Sequence, residues 1–395
     1  MMHVFLVAAE ASGDALGADV IDALQAAYPT VKISGVGGPR MSERGVQSGV
    51  DMSGLAVLGL VDGMKAIGRV KTAVAAVAAE IARVAPDVVV LIDSWGFMWR
   101  LARALKLGGV RARRIKLIGP QVWATRPGRA RVLAKWCDHL LCIHEFEAPF
   151  YKRYGLPVTV IGNPALGRNE PGDGARFRKA RNIEPGTRII GLLPGSRPSE
   201  LKRVAPVLVA VCERLCARSA NRTIVCVVAP DMAPAIATMS ASWPFPHKLV
   251  LEESEKSDAF SAMDIALACS GTVTTELAVQ GAALVVGYRL GWVTWAVARL
   301  FLMRSRFITL LNVAAGSEVA PEYVQTRFTA ANIARAAARL LEDPAELETQ
   351  LTAQSQALAR MKGPGRPAAA IAAETIFKSE LDSTINPSRV ERKML

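Results

Sequence analysis

A glycine turn between an apolar strand and a helix is the first segment of this sequence that could do chemistry. Residues 189–193 are apolar and partly β-branched, which predicts a buried strand, and the Pro-Gly pair ending at Gly195 stops it. A helix is predicted to begin near Glu200, capped by a serine such as Ser196. The free N–H groups of such a turn, the helix dipole and the Arg197 guanidinium would suit a phosphate group. The same pattern also fits an ordinary strand-to-helix turn with a surface arginine.

A second turn of the same kind follows the apolar residues 265–268. Ser270, Gly271 and Thr272 lead into a predicted helix. Glu276 lies about one turn into that helix, where its carboxylate would accept hydrogen bonds from ribose hydroxyls. A capped helix whose Glu276 only complements the dipole would have the same sequence. Two such turns on one sheet favour a nucleotide diphosphate as the ligand.

Carboxylates follow two strands that are predicted in the first half of the chain. Residues 86–93 form an apolar run ending on Asp93, and residues 3–9 lead into Glu10 and Asp14. Ligands gather at the carboxyl ends of strands in open parallel sheets, so Asp93 is placed to act as a base or a ligand contact. The alternative is that Asp93 caps the helix predicted to follow it.

Two segments combine apolar or tryptophan side chains with basic ones. Steps of three and four residues place Leu60, Met64 and Ile67 on one helix face beside basic residues, which fits either a membrane contact or packing on a sheet. Trp292 and Trp295 occur among several arginines, which suits a membrane interface or an acyl-chain groove. Burial between domains is the alternative for this pair.

The length and the order of elements predict two α/β domains. A chain of 395 residues exceeds one ordinary core. Short apolar strands alternate with helical segments in both halves, which is typical of parallel sheets covered by helices. We expect a first domain over residues 1–166 and a linker over 167–186, which is rich in Gly, Pro and charge. A second domain is expected over 187–345, followed by C-terminal helices over 346–395 that pack back on the first domain and end in a frayed tail.

Composition limits the classes of partner and compartment. The 48 Lys and Arg against 35 Asp and Glu give a net charge of +13, which favours an anionic partner. The basic residues are dispersed and match no known nucleic-acid-binding module, so nucleic acid is not expected. Six scattered cysteines predict buried free thiols and no zinc site. No apolar window is long enough for a membrane span, and the first apolar run meets Glu10 too early for a signal peptide.

These segments together resemble the lipid-A-disaccharide synthase family, whose members are inverting glycosyltransferases of the GT-B fold. That fold has two Rossmann-like parallel-sheet domains facing a cleft, with a C-terminal helix that crosses back to the first domain. The resemblance rests on the order and spacing of segments spread over most of the chain, namely AEASGDALGA (9–18), GVGGPRM (35–41), LAVLGLVD (55–62), PDVVVLID (86–93), VWATRPGR (122–129), LLPGSR (192–197), SGTVTTELA (270–278), VVGYR (285–289) and LLNV (310–313).

The resemblance implies a reaction and its substrates. The donor would be UDP-2,3-diacylglucosamine and the acceptor 2,3-diacylglucosamine 1-phosphate, giving a β-1,6-linked tetraacyl disaccharide phosphate and UDP. The UDP pyrophosphate would rest at Ser196, Arg197 and the turn at residues 270–272, with Glu276 on the ribose. Arginine and helix N-termini would take the place of a metal ion, so neither a metal nor a cofactor is expected.

The resemblance also implies roles on the acceptor side. Asp93 aligns with the acid of the family motif and would take the proton of the acceptor 6-hydroxyl. The cleft would be lined by Glu10, Ser12, Asp14, Gln121 and Asn312. The protein would act as a peripheral protein on the inner face of the cytoplasmic membrane, and a homodimer is compatible with this role.

The sequence departs from the family pattern beside the predicted site. Trp95-Gly96-Phe97-Met98 stands where the family has a Pro-Asp-Phe-Asn type segment, so a second carboxylate is missing. Gly162-Asn163-Pro164 replaces Gly-His-Pro, and Leu310-Leu311-Asn312 lacks the proline of Leu-Pro-Asn. These changes predict altered acyl-chain or sugar specificity, or a paralogue with weakened activity.

Two other classes of function compete with the lipid glycosyltransferase. A UDP-sugar epimerase, or a transferase with another acceptor, would turn over UDP-GlcNAc without any acyl chain. A non-catalytic module would use the positive charge to bind anionic lipid or nucleic acid, and its affinity would fall steeply with salt.

Overall fold

The computed structural model describes residues 1–50, 63–164, 166, 171–292, 295 and 305–385. The chain divides into two compact units, which are described separately. The first consists of Met1–Pro164 and Lys362–Leu395, and the second of Ala165–Met361.

A parallel sheet forms the centre of the first unit. Its strands are β1 (His3–Ala8), β2 (Lys32–Val36), β3 (Val88–Ile92), β4 (Arg113–Leu117), β5 (His139–Cys142) and β6 (Val158–Val160). They lie in the order β2-β1-β3-β4-β5-β6, and every pairing is parallel. All residues of β1 and β3 are buried, because helices cover both faces of the sheet and leave no polar side for alternation.

Helices pack on the two faces of this sheet. Those before the chain leaves the first unit are α1 (Ala11–Ala27), α2 (Pro39–Ser42), α3 (Gly63–Val84), α4 (Trp95–Leu107), α5 (Gly128–Trp136) and α6 (Ala148–Lys152). Phe5 and Val7 of β1 join the core under α3 to α6, whereas Val4 and Leu6 join the core under α1. This alternation follows from the two-residue period of side chains along a strand.

The second unit repeats the plan with a second parallel sheet. Its strands are β7 (Arg188–Leu193), β8 (Arg222–Val227), β9 (His247–Val250), β10 (Ile265–Cys269), β11 (Ala283–Tyr288) and β12 (Glu322–Val324), in the order β12-β11-β10-β7-β8-β9. Its helices are α7 (Gly174–Ala180), α8 (Pro198–Arg218), α9 (Ala233–Ser240), α10 (Glu253–Ala262), α11 (Val273–Val279), α12 (Leu310–Ala315), α13 (Ala330–Glu342) and α14 (Pro344–Lys362). The predicted α/β architecture with two parallel sheets is confirmed.

Each sheet reverses its direction of strand addition at one position. In the first unit β2 is added on one side of β1 and β3 on the other; in the second unit β8 and β10 flank β7 in the same way. At such a switch point, neighbouring connections run to opposite faces and leave a crevice at the carboxyl edge. The segments that follow β1, β3, β7 and β10 contain most of the residues that are predicted to bind substrate or to act in catalysis.

The described part of the predicted linker at 167–186 is not a linker. It contains α7, whose preceding residue Asp173 caps the helix by accepting from Arg176 N at 2.9 Å. Asp258 of α10 binds both Asp173 N at 2.7 Å and the Arg176 guanidinium at 2.7 and 2.8 Å. A Cβ at Gly172 would lie 2.0 Å from Ser257 O, so this glycine serves close packing rather than flexibility.

The C-terminal helices divide between the two units. Residues 346–361, which were expected to pack on the first domain, belong to α14 in the second unit. Gln354 Oε1 accepts from Leu284 N at 3.1 Å and its Nε2 donates to Ala282 O at 3.0 Å, while Gln350 Nε2 donates to Leu284 O at 2.7 Å. These buried glutamines satisfy backbone groups of the β11 strand, which ties α14 to that sheet.

Of the two described C-terminal helices, the last one, α15 (Ala368–Ile385), packs on the first unit. Ile371 and Ile376 enter the core beneath α1, and the Phe377 ring stacks on Tyr28 with centroids 3.8 Å apart. The expectation of a helix that returns to the first domain is confirmed for this segment.

The cysteines and the helices bear on disulfides and on membrane spans, respectively. All six cysteines are free thiols, and all but Cys216 are buried. No helix in the described parts of the chain combines the length and apolar composition that a bilayer crossing requires.

Candidate functional site

The turn after β7 presents one backbone N–H group and one guanidinium group to an acidic side chain. Gly195 has φ +117°, and a Cβ there would lie 2.7 Å from Glu200 Cβ, so only glycine fits. Glu200 Oε2 accepts from Ser196 N at 3.1 Å, and Glu200 Oε1 accepts from Arg197 Nη1 at 3.1 Å. The predicted serine cap is wrong: Arg197 is the cap residue of α8 and no side chain caps the helix. Glu200, the third residue of the helix, accepts instead from the N–H of Ser196, which precedes the cap residue.

The turn after β10 is built differently. Ser270 Oγ donates to Ile308 O at 3.3 Å, and Thr274 Oγ1 donates to Gly271 O at 2.8 Å. Thr272 is the cap residue of α11, without a side-chain cap bond. Glu276 lies one turn into α11, where its Oε2 is 2.8 Å from Lys256 Nζ of α10. The lysine therefore already holds the carboxylate that was predicted to meet a ribose.

Both turns line one cavity of about 240 Å³ at the switch point between β7 and β10. The cavity brings together five of the predicted residues: Ser196, Ser270, Gly271, Thr272 and Glu276. It extends along the carboxyl ends of β8 and β9, where residues 227–230 and 250–253 complete the wall. The Arg197 side chain is 73% exposed and lies outside the lining, bound to Glu200. The cavity lies at the carboxyl edge of the sheet.

The first unit places Asp93 and Ser12 together at its own switch point. The pairing of β1 with β3 brings their carboxyl ends side by side, and Ser12 Oγ donates to Asp93 Oδ2 at 3.1 Å. Asp93 and Ser94 both have positive φ values, +48° and +30°. Such backbone costs about 1–3 kcal/mol per residue and persists mainly at functional sites. Ser94, not Asp93, is the cap residue of α4, so the alternative of Asp93 as a helix cap is wrong.

A buried lysine beneath Asp93 was missed at the sequence level. Lys116 of β4 is 1% exposed, and its Nζ donates to Leu91 O at 3.1 Å, Asp93 O at 2.5 Å and Leu117 O at 3.0 Å. Burial lowers the pKa of Lys116 to about 8, against the attraction of the Asp93 carboxylate, which raises it. The only signal in the sequence was a lysine inside an otherwise apolar run.

Two residues predicted to line the acceptor side are structural instead. Asp14 is buried and accepts from Gly38 N at 2.8 Å, Arg40 N at 2.9 Å and Met41 N at 3.1 Å, so it caps α2. Asn312 is fully buried, and its amide bonds to Val319 N, Ala320 N, Ala320 O and Glu322 Oε1 at 2.8 to 2.9 Å. Side chains satisfied by so many backbone partners have no free atom for a substrate.

The remaining predicted residues differ in where they lie. Glu10 and Gln121 are exposed, Glu10 at the start of α1 and Gln121 after β4. The Trp292 side chain is 67% exposed and Trp295 is half-buried. Leu60 and the side chains of Met64 and Ile67 lie outside the described residues. No cluster of His, Cys, Asp or Glu in the described ranges has the geometry to hold a metal.

Buried polar groups also collect after β4 and β5, at the edge that carries Asp93. Trp123 Nε1 and His144 Nδ1 are buried without a hydrogen-bond partner among the described residues. Burial lowers the pKa of His144 to about 4 and raises the pKa of Glu147 to about 8. Glu147 is 4% exposed, so the folded protein holds it as a neutral acid at neutral pH.

Comparison with known proteins finds sequence similarity over almost the whole chain. The Lipid-A-disaccharide synthetase family profile matches residues 4–376. Lipid-A-disaccharide synthase of Rhodospirillum centenum is 37% identical over 377 residues, 95% of this chain and 94% of that protein. The enzyme of the same name from Gluconobacter oxydans is 36% identical over 94% of this chain and 89% of its own length.

Solved structures show the same fold at low identity. A putative UDP-N-acetylglucosamine 2-epimerase from Listeria monocytogenes superposes with a TM-score of 0.62 at 14% identity, covering 98% of this chain and 97% of that one. UDP-GlcNAc 2-epimerase from Neisseria meningitidis, bound to UDP-GlcNAc, gives a TM-score of 0.60 at 15% identity, covering 96% and 100%. The predicted GT-B fold, shared by glycosyltransferases and these epimerases, is confirmed.

Replacing Glu147 by glutamine should stabilise the protein at alkaline pH and leave it unchanged near pH 4.5. The unfolded carboxyl ionises from its ordinary pKa of 4.5, whereas the folded one stays neutral up to about 8. Wild-type stability therefore falls by about 1.4 kcal/mol for each pH unit between these values, and a side chain that does not ionise removes that loss. Urea unfolding of both proteins from pH 4.5 to 9 measures the difference, with the exposed neighbour Glu145→Gln as control. A difference that does not grow with pH would contradict this account.

Proposed function

The chain belongs to the lipid-A-disaccharide synthetase family, and on that premise we propose that it condenses UDP-2,3-diacylglucosamine with 2,3-diacylglucosamine 1-phosphate. Membership makes it a hexosyltransferase of lipid A biosynthesis. The observation that carries the proposal is that each switch point holds the chemistry that one half of the reaction needs. The first unit offers a carboxylate beside a hydroxyl, and the second offers two glycine turns around one cavity.

The proposed reaction is a single displacement at the anomeric carbon. The 6-hydroxyl oxygen of the acceptor attacks that carbon, and the bond to UDP breaks with its electron pair leaving on the phosphate. Asp93 takes the hydroxyl proton as general base. Ser12 Oγ, 3.1 Å from Asp93 Oδ2, fixes the carboxylate and leaves its other oxygen for the acceptor. One displacement inverts the configuration, which gives the β-1,6 linkage.

The second unit is proposed to hold the leaving UDP. Ser196 and Gly271 line the cavity, and their backbone N–H groups would bind diphosphate oxygens. Glu200 Oε2 accepts from the Ser196 N–H in the structure. A phosphate oxygen would take the place of this carboxylate oxygen as the acceptor. Arg197 would then leave Glu200 and contact the phosphate. Glu276, oriented by Lys256, would receive the ribose hydroxyls.

The substitution Asp93→Asn should abolish turnover while UDP still binds. Asparagine tolerates the left-handed backbone at this position but cannot accept the proton, so a loss of about 10²- to 10⁴-fold is expected. The assay follows UDP release from both acylated substrates without added divalent ion, and calorimetry measures UDP affinity. Wild-type activity in the variant would refute Asp93 as the base.

The same assay separates the competing functions. An epimerase of this fold would convert UDP-GlcNAc without an acylated acceptor. A binding module would release no UDP from any donor, although it would still bind lipid.

Replacing Arg197 by methionine should weaken UDP binding about tenfold, because a charge-assisted contact to phosphate is lost. Arg203→Met is the matched control, since Arg203 is an exposed arginine on the same helix outside the cavity lining. It removes the same charge from the protein without touching the turn. Equal affinities in the two variants would remove the proposed contact.

We further propose that the first unit binds the anionic surface of the cytoplasmic membrane. Helices α4 and α5 pack together and contain basic but no acidic residues. Their basic–aromatic surface consists of Trp95, Trp99, Arg100, Arg103, Arg129, Lys135 and Trp136. Arg129 lies 5.3 Å from the Trp95 ring centroid, Arg100 4.7 Å from Trp99 and Lys135 4.8 Å from Trp136. Tryptophan and arginine in such pairs suit the headgroup layer of a bilayer.

Charge reversal on this surface should weaken vesicle binding. Arg100→Glu with Arg103→Glu should lower affinity for phosphatidylglycerol-containing vesicles by about 1 kcal/mol or more per site, and high salt should do the same to the wild type. The control Lys202→Glu with Arg203→Glu changes the net charge equally on α8 of the second unit. Vesicle flotation measures both. Equal losses in the two variants, or tighter binding to DNA than to vesicles, would contradict the proposal.

A further inference from the structure

We propose that Lys116 is a positioning residue for the transfer reaction: its buried ammonium group holds the left-handed turn from which Asp93 acts. The inference rests on the proposed role of Asp93 as base. It concerns a residue that touches neither substrate and works through the backbone of the base.

The geometry is that of a clamp across the ends of two strands. Lys116 stands opposite Leu91 in the pairing of β4 with β3, and its side chain extends toward the carboxyl edge. All three bonds of its ammonium group go to carbonyl oxygens, of Leu91, Asp93 and Leu117, at 2.5 to 3.1 Å. A protonated lysine has three donors and no acceptor, so this arrangement uses the group completely. Asp93 is reached through its backbone oxygen, which leaves its carboxylate to Ser12.

The clamped backbone is strained. Asp93, Ser94 and Ile118 have φ values of +48°, +30° and +62°, although none is glycine. A β-branched residue in this region is an outlier, and each such residue costs about 1–3 kcal/mol. Asp93 N donates to Leu117 O at 2.9 Å and Ile118 N to Leu141 O at 2.9 Å, so ladder bonds hold the amide side of the turn. Lys116 holds the carbonyl side.

Stability alone does not account for a lysine here. A fully buried ammonium group loses its hydration, and the three carbonyls offer no full charge in return. A methionine of similar length would fill the space without that cost. The charged and titratable groups that face Lys116 are Asp93 after β3, Glu10 after β1 and Cys137 after α5. Two of them are carboxylates at the carboxyl edge, where the chemistry is proposed.

This arrangement predicts an alkaline limit to catalysis. Burial lowers the pKa of Lys116 to about 8, so the ammonium group loses a proton as the pH rises through that value. The neutral amine has one donor fewer and no charge, and the Asp93 turn loses part of its clamp. We expect kcat to fall above about pH 8 while UDP affinity stays constant, because the nucleotide contacts belong to the second unit.

The test compares Lys116→Met with Arg114→Met. Arg114 lies two residues earlier on the same strand and face, is also buried at 9% exposure, and pairs with Asp138 at 2.8 Å, away from Asp93. Lys116→Met should lower kcat about 100-fold with KM and UDP affinity little changed, and its remaining activity should show no decline up to about pH 9.5. Arg114→Met should lose stability but keep the wild-type kcat and its alkaline decline.

Several results would overturn the proposal. They are a Lys116→Met protein with wild-type kcat, a decline above pH 8 that persists in that variant, or a similar loss of kcat in Arg114→Met. If Lys116→Met does not fold by circular dichroism, the wild-type profile decides, and a kcat that is flat to about pH 9.5 refutes the inference. Failure of the proposed function is distinct: the wild type then releases no UDP, or Asp93→Asn remains active.

Discussion

The chemistry of this protein depends on a constraint of parallel sheets: a crevice opens only where the direction of strand addition reverses. The first sheet reverses between β1 and β3, and the second between β7 and β10. The proposed base, its serine partner and the two glycine turns lie directly after these four strands. Ser12 meets Asp93 in the first unit, and the Gly195 and Gly271 turns meet in the second. The rest of each unit, two helix layers on a buried sheet, keeps those strand ends in register.

Buried polar groups show how the fold separates structural from chemical roles. Asp14, Asn312 and Gln354 are saturated with backbone partners, and their burial is compensated within the protein. Lys116 and Glu147 are also buried, but burial moves the pKa values of both toward the physiological range. Groups of the first kind fix loops, whereas those of the second kind lie at the edge of the first sheet that carries Asp93.

Anionic side chains in the second unit occupy the donors of the proposed nucleotide site. Glu200 accepts the Ser196 N–H and the Arg197 guanidinium, which are donors suited to a phosphate, and Glu276 is held by Lys256. This internal pairing gives each of these groups a partner within the protein. In the proposed donor site, a nucleotide phosphate would take the place of the Glu200 carboxylate as acceptor, so the donors would already be in position.

The sequence by itself determined the two parallel sheets, the strand-turn-helix segments and the position of Asp93 at the end of a strand, because apolar runs, glycine turns and strand ends are local signals. It could not determine which carboxylates are free. Asp14 and Asp93 both follow apolar strands, yet one caps α2 and the other faces Ser12. The sequence also predicted a linker at Gly172, and it did not indicate the hydrogen bonds that Lys116 and Glu200 make. Those outcomes depend on which backbone groups distant segments bring to each side chain, so only the tertiary structure decided them.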